Sequence, residues 1–359
     1  MFILFLVLAV SAICVKRPNI FPLLIIIFLV GLNYNALNVS DFWNYNAIYN
    51  NIAPNRLFQT GYGWYLLNNI GRNLGLDYNQ YKAYSIAICL AFIWLIIYML
   101  GGKNQNIVFG LYLFYPALID TIQIRFFTAM TIVMIGILFL RKRKLWSSIL
   151  FVCIVLIAST VHSSMLFYLI LVLYPLLCRY INQLKYVIIV LTLIFIVFKN
   201  KLYDFVAFFS NDRQLQYFDP SSEVTSGSGF LIIIALFSIV LVYFFNQKFY
   251  QIIINDSLYS KNDKNSASVI YGISLMMFLL IPLIFLSGEF FRVFRISFIF
   301  SYILISILLK RYKTYSISVL NYNGKKISLS IRLIGTLIAI ISFILNILYL
   351  APAAFSSYF

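Results

Sequence analysis

Residues Ile122–Val161 carry the run IQIRFFTAMTIVMIGILFL, then RKRK at Arg141–Lys144, then LWSSILFVCIVLIASTV. The two flanking runs hold 19 and 17 residues and no charge apart from Arg125. A helix that crosses a bilayer needs about 20 apolar residues, within a range of roughly 17–25. Each run therefore predicts one crossing, with four consecutive cations in the turn between them. Short loops rich in Lys and Arg stay on the cytoplasmic side. The hairpin thus predicts an orientation, with Arg141–Lys144 inside and the ends at Arg125 and Val161 outside.

The pattern repeats along the chain. Upstream apolar stretches cover Met1–Val15, Ile20–Leu32, Tyr81–Leu100 and Ile107–Ile119. Downstream ones cover Ser163–Cys178, Tyr186–Phe198, Phe230–Asn246, Val269–Ser287, Phe290–Leu309 and Leu333–Leu350. The short ones, Ile107–Ile119 and Tyr186–Phe198, borrow flanking Tyr and Asn residues to reach full length. If every stretch crosses once, 18 basic residues and two acids, Asp256 and Asp263, fall on the Arg141–Lys144 side. The other side receives 9 basic and 8 acidic residues. The expectation is an all-α, polytopic integral membrane protein with about 12 transmembrane helices, both termini external, and a long amphipathic external loop after the second helix. Residues 1–359 form one membrane-embedded domain. Its external loops are 33–80 and 199–229, and its cytoplasmic loops 141–144, 247–268 and 310–332.

Composition agrees. Hydrophobic residues make up 63% of the 359, charged residues 10%, and mean hydropathy is +0.94, against roughly 45–50% and about 25% in a soluble domain. A soluble enzyme, a disordered chain and an outer-membrane barrel are excluded, the last because alternating strands dilute hydropathy. The net charge of +17 would suggest nucleic acid in a soluble protein. Here it gathers on the cytoplasmic rim, where it orients helices and attracts anionic lipid, so membrane lipids are expected partners and nucleic acid is not. Met1–Val15 lacks the basic segment and cleavage site of a signal peptide and reads as a helix. Cys14, Cys89, Cys153 and Cys178 lie in apolar stretches without CxxC spacing, giving neither a metal site nor a disulfide framework. There is no phosphate-binding glycine loop, which argues against an ATP-driven pump. No internal repeat is evident, which weakens an inverted-repeat transporter.

The external side carries the chemistry. The first loop contains Asp41, Phe42, Trp43, Tyr45 and Tyr49, then Gly61, Tyr62, Gly63, Trp64 and Tyr65. Aromatic faces and amides suit carbohydrate, whose C–H faces stack on rings while its hydroxyls need fixed donors and acceptors. The competing reading is an interfacial aromatic belt. The second loop ends in the run 219–229, whose composition suits a mobile gate or a flexible connection. Asp120, Gln123 and Arg125 stand where a helix begins at the outer surface, and an arginine there is costly unless paired or facing a polar cavity. Pairing with Asp120, or snorkelling, is the alternative. His162, the sole histidine, sits at the same depth, just before Ser163 and Ser164. Glu289, Arg292 and Arg295 recur every three residues on one helix face. Two arginines against one carboxylate leave positive charge suited to bidentate phosphate binding, unless the group is an ion pair plus a snorkelling Arg295.

Taken in order, these features resemble the EpsG family of exopolysaccharide, capsule and O-antigen polymerases, the Wzy-type enzymes. The matching residues are Asp41, Tyr45 and Tyr49 with Gly61-Tyr62, Gln123-x-Arg125, His162-Ser163-Ser164, and Arg292-x-x-Arg295. No single motif is specific; the ordered set covers nearly the whole chain. The resemblance implies a multi-pass glycosyltransferase of the bacterial cytoplasmic membrane whose active site faces outward. Its donor is undecaprenyl-pyrophosphate-linked oligosaccharide, with no nucleotide sugar, cofactor or metal required. A flippase and a chain-length regulator are the protein partners it implies. In that chemistry Arg125, Arg292, Arg295 and Gln123 would bind the pyrophosphate as the C1–O bond breaks. His162 or Asp41 would act as general base. Trp43, Tyr45, Tyr49, Tyr62 and Trp64 would hold the glycan.

Three rivals share parts of this pattern. A lipid-linked oligosaccharide flippase would place basic groups through a central cavity, whereas these gather at one face. A membrane O-acyltransferase also uses one histidine, but with a donor usually supplied from the cytoplasm. An O-antigen ligase differs only in its acceptor.

Overall fold

The computed structural model describes residues 1–15, 20–34, 36–39, 41–50, 61–198, 201, 204, 228–310, 316–322, 325–349, 355, 356 and 358. The apolar stretches are helical, as they must be where hydrocarbon offers the backbone no other partner. The α-helices in order are α1 (Phe2–Cys14), α2 (Ile20–Tyr34), α3 (Phe42–Tyr49), α4 (Tyr62–Asn73), α5 (Tyr78–Met99), α6 (Gln105–Phe114), α7 (Ala117–Ile122) and α8 (Ile124–Leu140). Then come α9 (Leu145–Val161), α10 (Tyr174–Leu177), α11 (Ile181–Val197), α12 (Ser228–Asn255), α13 (Lys261–Met276), α14 (Ile281–Leu286), α15 (Phe291–Leu308) and α16 (Ile331–Phe343). Among the described residues, four helical segments are long and apolar enough to cross a membrane: Tyr78–Met99, Ile232–Asn255, Lys261–Leu286 and Phe291–Leu308. Eight shorter apolar helices accompany them. Each of the apolar stretches marked in the sequence is helical over most of its length.

Three details differ from the sequence reading. The stretch after His162 opens as a 3-10 helix, Ser163–Leu173. At about 2.0 Å per residue this form reaches further than an α-helix of equal length. The proposed loop 247–268 is mostly helix, since α12 runs to Asn255 and α13 begins at Lys261. The Ser260 side chain caps α13 by accepting from the Asp263 amide at 3.2 Å, which lets a polar turn precede the apolar run. Within 310–332, all-α gives way to an antiparallel hairpin, β1 (Ser316–Tyr322) with β2 (Lys325–Ser330), paired from Ser316↔Ser330 to Tyr322↔Lys325. The sequence there alternates Ser-Ile-Ser-Val and places Asn-Gly at 323–324, a strong hairpin signal. Most of the loop 199–229 lies outside the described residues.

Helix α15 is the centre of the bundle. Every one of its side chains except Arg292 is buried, and α6, α12, α13 and α16 pack around it. Association in lipid depends on close backbone approach more than on expelling water. At Gly110 of α6 an added Cβ would stand 2.9 Å from the Ala9 carbonyl of α1. The α8–α9 hairpin turns through Arg143, which takes the left-handed conformation at φ 53°.

Helix α8, 17 residues and so about 25 Å long, separates two unlike ends. At one, the Arg141 guanidinium donates to the Met99 carbonyl at 2.5 Å, and Lys310 pairs with Asp263. An added Cβ at Gly101 would touch both members of that pair, so these basic residues share one end. At the other end lies Arg125, with α3 and α4 folded nearby.

Candidate active site

The cluster at the Arg125 end of the bundle is organised by Arg295. Its position on α15 sends a long cation into the packed centre, where an unpaired charge is strongly unfavourable. Its Nη1 lies 3.2 Å from Asp120 Oδ1, both side chains being almost wholly buried. Neither atom forms an aligned hydrogen bond in that contact, so charge and not donor geometry joins them. The other guanidinium atoms are better placed. Nη2 donates to Gln123 Oε1 at 2.6 Å, and Nε to the Arg292 carbonyl at 3.3 Å. The guanidinium carbon stands 4.6 Å from the Phe126 ring centroid. Asp120 is held in turn by the Tyr112 hydroxyl, which donates to Oδ2 at 2.9 Å. Asp120, one of the readings for Arg125's partner, thus belongs to Arg295.

Helices α7 and α8 position this cluster through a break at Gln123, the residue between them. The break turns Gln123 toward Arg295 and starts α8 with Arg125 half-buried. Arg125 Nε donates to the Val161 carbonyl at 2.7 Å, one of the acceptors left open at the end of α9. His162 follows as the C-terminal cap of α9. Its Nδ1 lies 2.8 Å from Ser164 Oγ and accepts from the Ser164 amide at 3.4 Å, capping the 3-10 helix. Its ring meets Phe126 edge-on at 5.4 Å. Burial first, then the fields of Arg125, Arg292 and Arg295, hold the imidazole well below the usual histidine range. His162 therefore stays neutral through neutral pH and into mild acid.

The site residues read from the sequence separate into two groups. Gln123, Arg125, His162, Arg292 and Arg295 come together where α8 and α15 begin and α9 ends, with Arg292 half-buried. The Glu289 side chain lies outside the described residues. The first-loop residues occupy α3 and α4. Trp43 and Tyr62 are exposed, Tyr45 is half-buried against Trp64 at 6.0 Å, and Trp64 and Tyr49 are buried. Tyr49 donates its hydroxyl to the Leu76 carbonyl at 2.8 Å and stacks on Tyr81. Asp41 precedes α3 in the left-handed conformation, exposed, with φ 69°. It stands with the first-loop helices, acting on Tyr78, while the field at His162 comes from arginines.

The two groups meet through glycines. At Gly61, φ 97°, an added Cβ would stand 2.5 Å from the Thr160 carbonyl and 3.6 Å from Arg125 Nη2. At Gly63 it would meet Thr160 Oγ1 at 2.2 Å. Only a bare backbone seats the start of α4 on the end of α9, beside the arginine.

Tyr112 and Phe126 were not singled out from the sequence. Tyr112 and Phe126 look like ordinary core aromatics until the fold places them on Asp120 and Arg295. Ser164 stands two residues after a histidine, a spacing suited to a side-chain cap.

A family model described as the EpsG family matches residues 19–359. No curated protein and no solved structure matches the chain.

Proposed function

Since the chain belongs to the EpsG family, a membrane-embedded family tied to polysaccharide polymerisation, we propose that it joins undecaprenyl-pyrophosphate-linked repeat units at the outer face of the cytoplasmic membrane. The observation that carries this reading is the convergence of Arg125, Arg292, Arg295, Gln123 and His162 at one end of the bundle. A donor that brings its own leaving group asks the protein mainly to bind growing negative charge. Arg125 and Arg292, both half-buried, are the groups to receive the pyrophosphate oxygens. Arg295 and Gln123 act from beneath: Asp120 balances the Arg295 charge, and Arg295 in turn holds the Arg292 backbone.

The acceptor hydroxyl must lose a proton as it attacks C1. His162, neutral where the reaction runs and set beside the same arginines, serves as the base. Asp41 is the second candidate, from the glycan side. Trp43, Tyr45 and Tyr62, exposed or half-buried, offer ring faces to the acceptor chain. Tyr49 and Trp64 support them from below.

The test is a variant series in cells depending on this protein for surface polysaccharide. Arg125→Ala and Arg292→Ala should stop chain growth, leaving single lipid-linked repeat units to accumulate while the protein stays in the membrane. Normal chain lengths in both variants would contradict the pyrophosphate assignment.

A further inference from the structure

Beneath the first-loop helices lies a second set of polar groups. Lys82, one turn and so about 6 Å inside the start of α5, is 1% exposed. Its ammonium stands 6.0 Å from the Phe42 ring centroid, and no carboxylate among the described residues pairs with it. Trp64 and Asn68, one turn apart on α4, are 1% and 2% exposed. The Trp64 indole N–H and both polar atoms of the Asn68 amide find no hydrogen-bond partner among the described residues. Rings link Lys82 and Trp64: Phe42 lies next to Lys82, Tyr45 follows one turn along α3 and meets Trp64, and Trp64 meets Tyr81, the neighbour of Lys82.

Groups like these are costly to bury unless something satisfies them. One charge, one N–H donor and one amide with both donors and acceptors form a recognisable complement. The amide matches adjacent sugar hydroxyls, the indole N–H a sugar oxygen, and the ammonium a singly charged anion. No second cation of the described set stands at Lys82, which favours a carboxylate over a phosphate. We propose that Lys82, Trp64 and Asn68 form a subsite for an acidic sugar, a uronic-acid residue of the repeat unit. The assignment rests on the polymerase reading for the origin of that sugar, and not for the binding itself. Tyr45, half-buried, packs edge-on against Trp64 at the rim of the subsite.

The experiment titrates purified full-length protein in detergent with a glucuronate-containing disaccharide and with its neutral glucose counterpart, following saturation transfer to the sugar protons. The wild type should bind the acidic sugar about tenfold more tightly, the value of one charge-assisted contact. Lys82→Met, matched in length and relieved of a buried charge, should keep its thermal stability and bind both sugars equally weakly. Lys82→Arg should retain the preference. Trp64→Phe and Asn68→Leu should weaken both sugars together. Equal binding of the two sugars by the wild type, no binding of either, or an unchanged preference in Lys82→Met would overturn the subsite. The polymerase reading is judged apart, by chain growth. Chain growth without acidic preference removes only the subsite, and acidic preference without chain growth removes only the polymerase.

Discussion

The Asp120–Arg295 pair explains how a cation survives buried in the first turns of α15, the helix at the centre of the bundle. Breaking such a pair leaves an uncompensated buried charge, at about 3–5 kcal/mol, whereas replacing both partners with apolar groups is often neutral. Asp120→Asn should therefore lower the thermal stability of the purified protein sharply, and the double variant Asp120→Leu, Arg295→Met should recover most of the loss. Equal damage in the single and double variants would mean the pair is not what stabilises the centre. His162 gives a prediction in pH. Burial and the neighbouring arginines lower its folded pKa, so the unfolded chain takes up the proton first, near pH 6.5. Stability is present above that point and declines as pH falls below it. Chain growth, in contrast, should persist as pH drops through 6.5, because the folded-state base stays neutral. An unfolding series comparing wild type with His162→Gln checks the first, with the wild type losing more below pH 6.5. A rate profile checks the second. A wild-type rate halved near pH 6.5 would contradict the depressed histidine.

At the scale of elements, the site depends on α4 being seated against α9. Gly63→Ala puts a methyl group where Thr160 Oγ1 now stands, so α4 must move away from Arg125. Chain growth should fall about tenfold or more, on the scale of misplacement effects, with membrane insertion intact. Thr160→Ala in the same chain should restore part of it. Restoration is read from polymer length on gels. If Gly63→Ala grows chains as well as the wild type, α4 does not shape the site. Part of this arrangement was legible in the sequence. The Gly61-Tyr62-Gly63 run stood out, as did the arginines and His162, because charge among apolar residues is conspicuous. Which carboxylate Arg295 meets was not legible, since Asp120 is five residues from Arg125 and 175 from Arg295 and only packing decides. Nor was the Ser316–Ser330 hairpin read, although its Asn-Gly and alternating Ser residues were in view. A loop rich in basic residues reads as a plain connection. The 3-10 form of Ser163–Leu173 has no apolar-pattern signal, because its residues are apolar on every side.

Across the whole molecule, the hydropathy of the chain made the helices readable, and the spread of Lys and Arg divided its two ends. Arg141, Lys310 and their partners share one end, while Arg125, His162, Arg292 and Arg295 share the other. That segregation makes a one-sided reaction the natural use of the fold. The central claim is that this outer cluster extends a glycan from a lipid pyrophosphate. Its most direct test supplies the purified protein with a synthetic undecaprenyl-pyrophosphate-linked repeat unit, without nucleotide or added metal, and separates the products by size. The account predicts a ladder of chain lengths, absent for Arg125→Ala. Unextended repeat units, with the same lipid carried across vesicle membranes, would contradict it and identify a transporter instead.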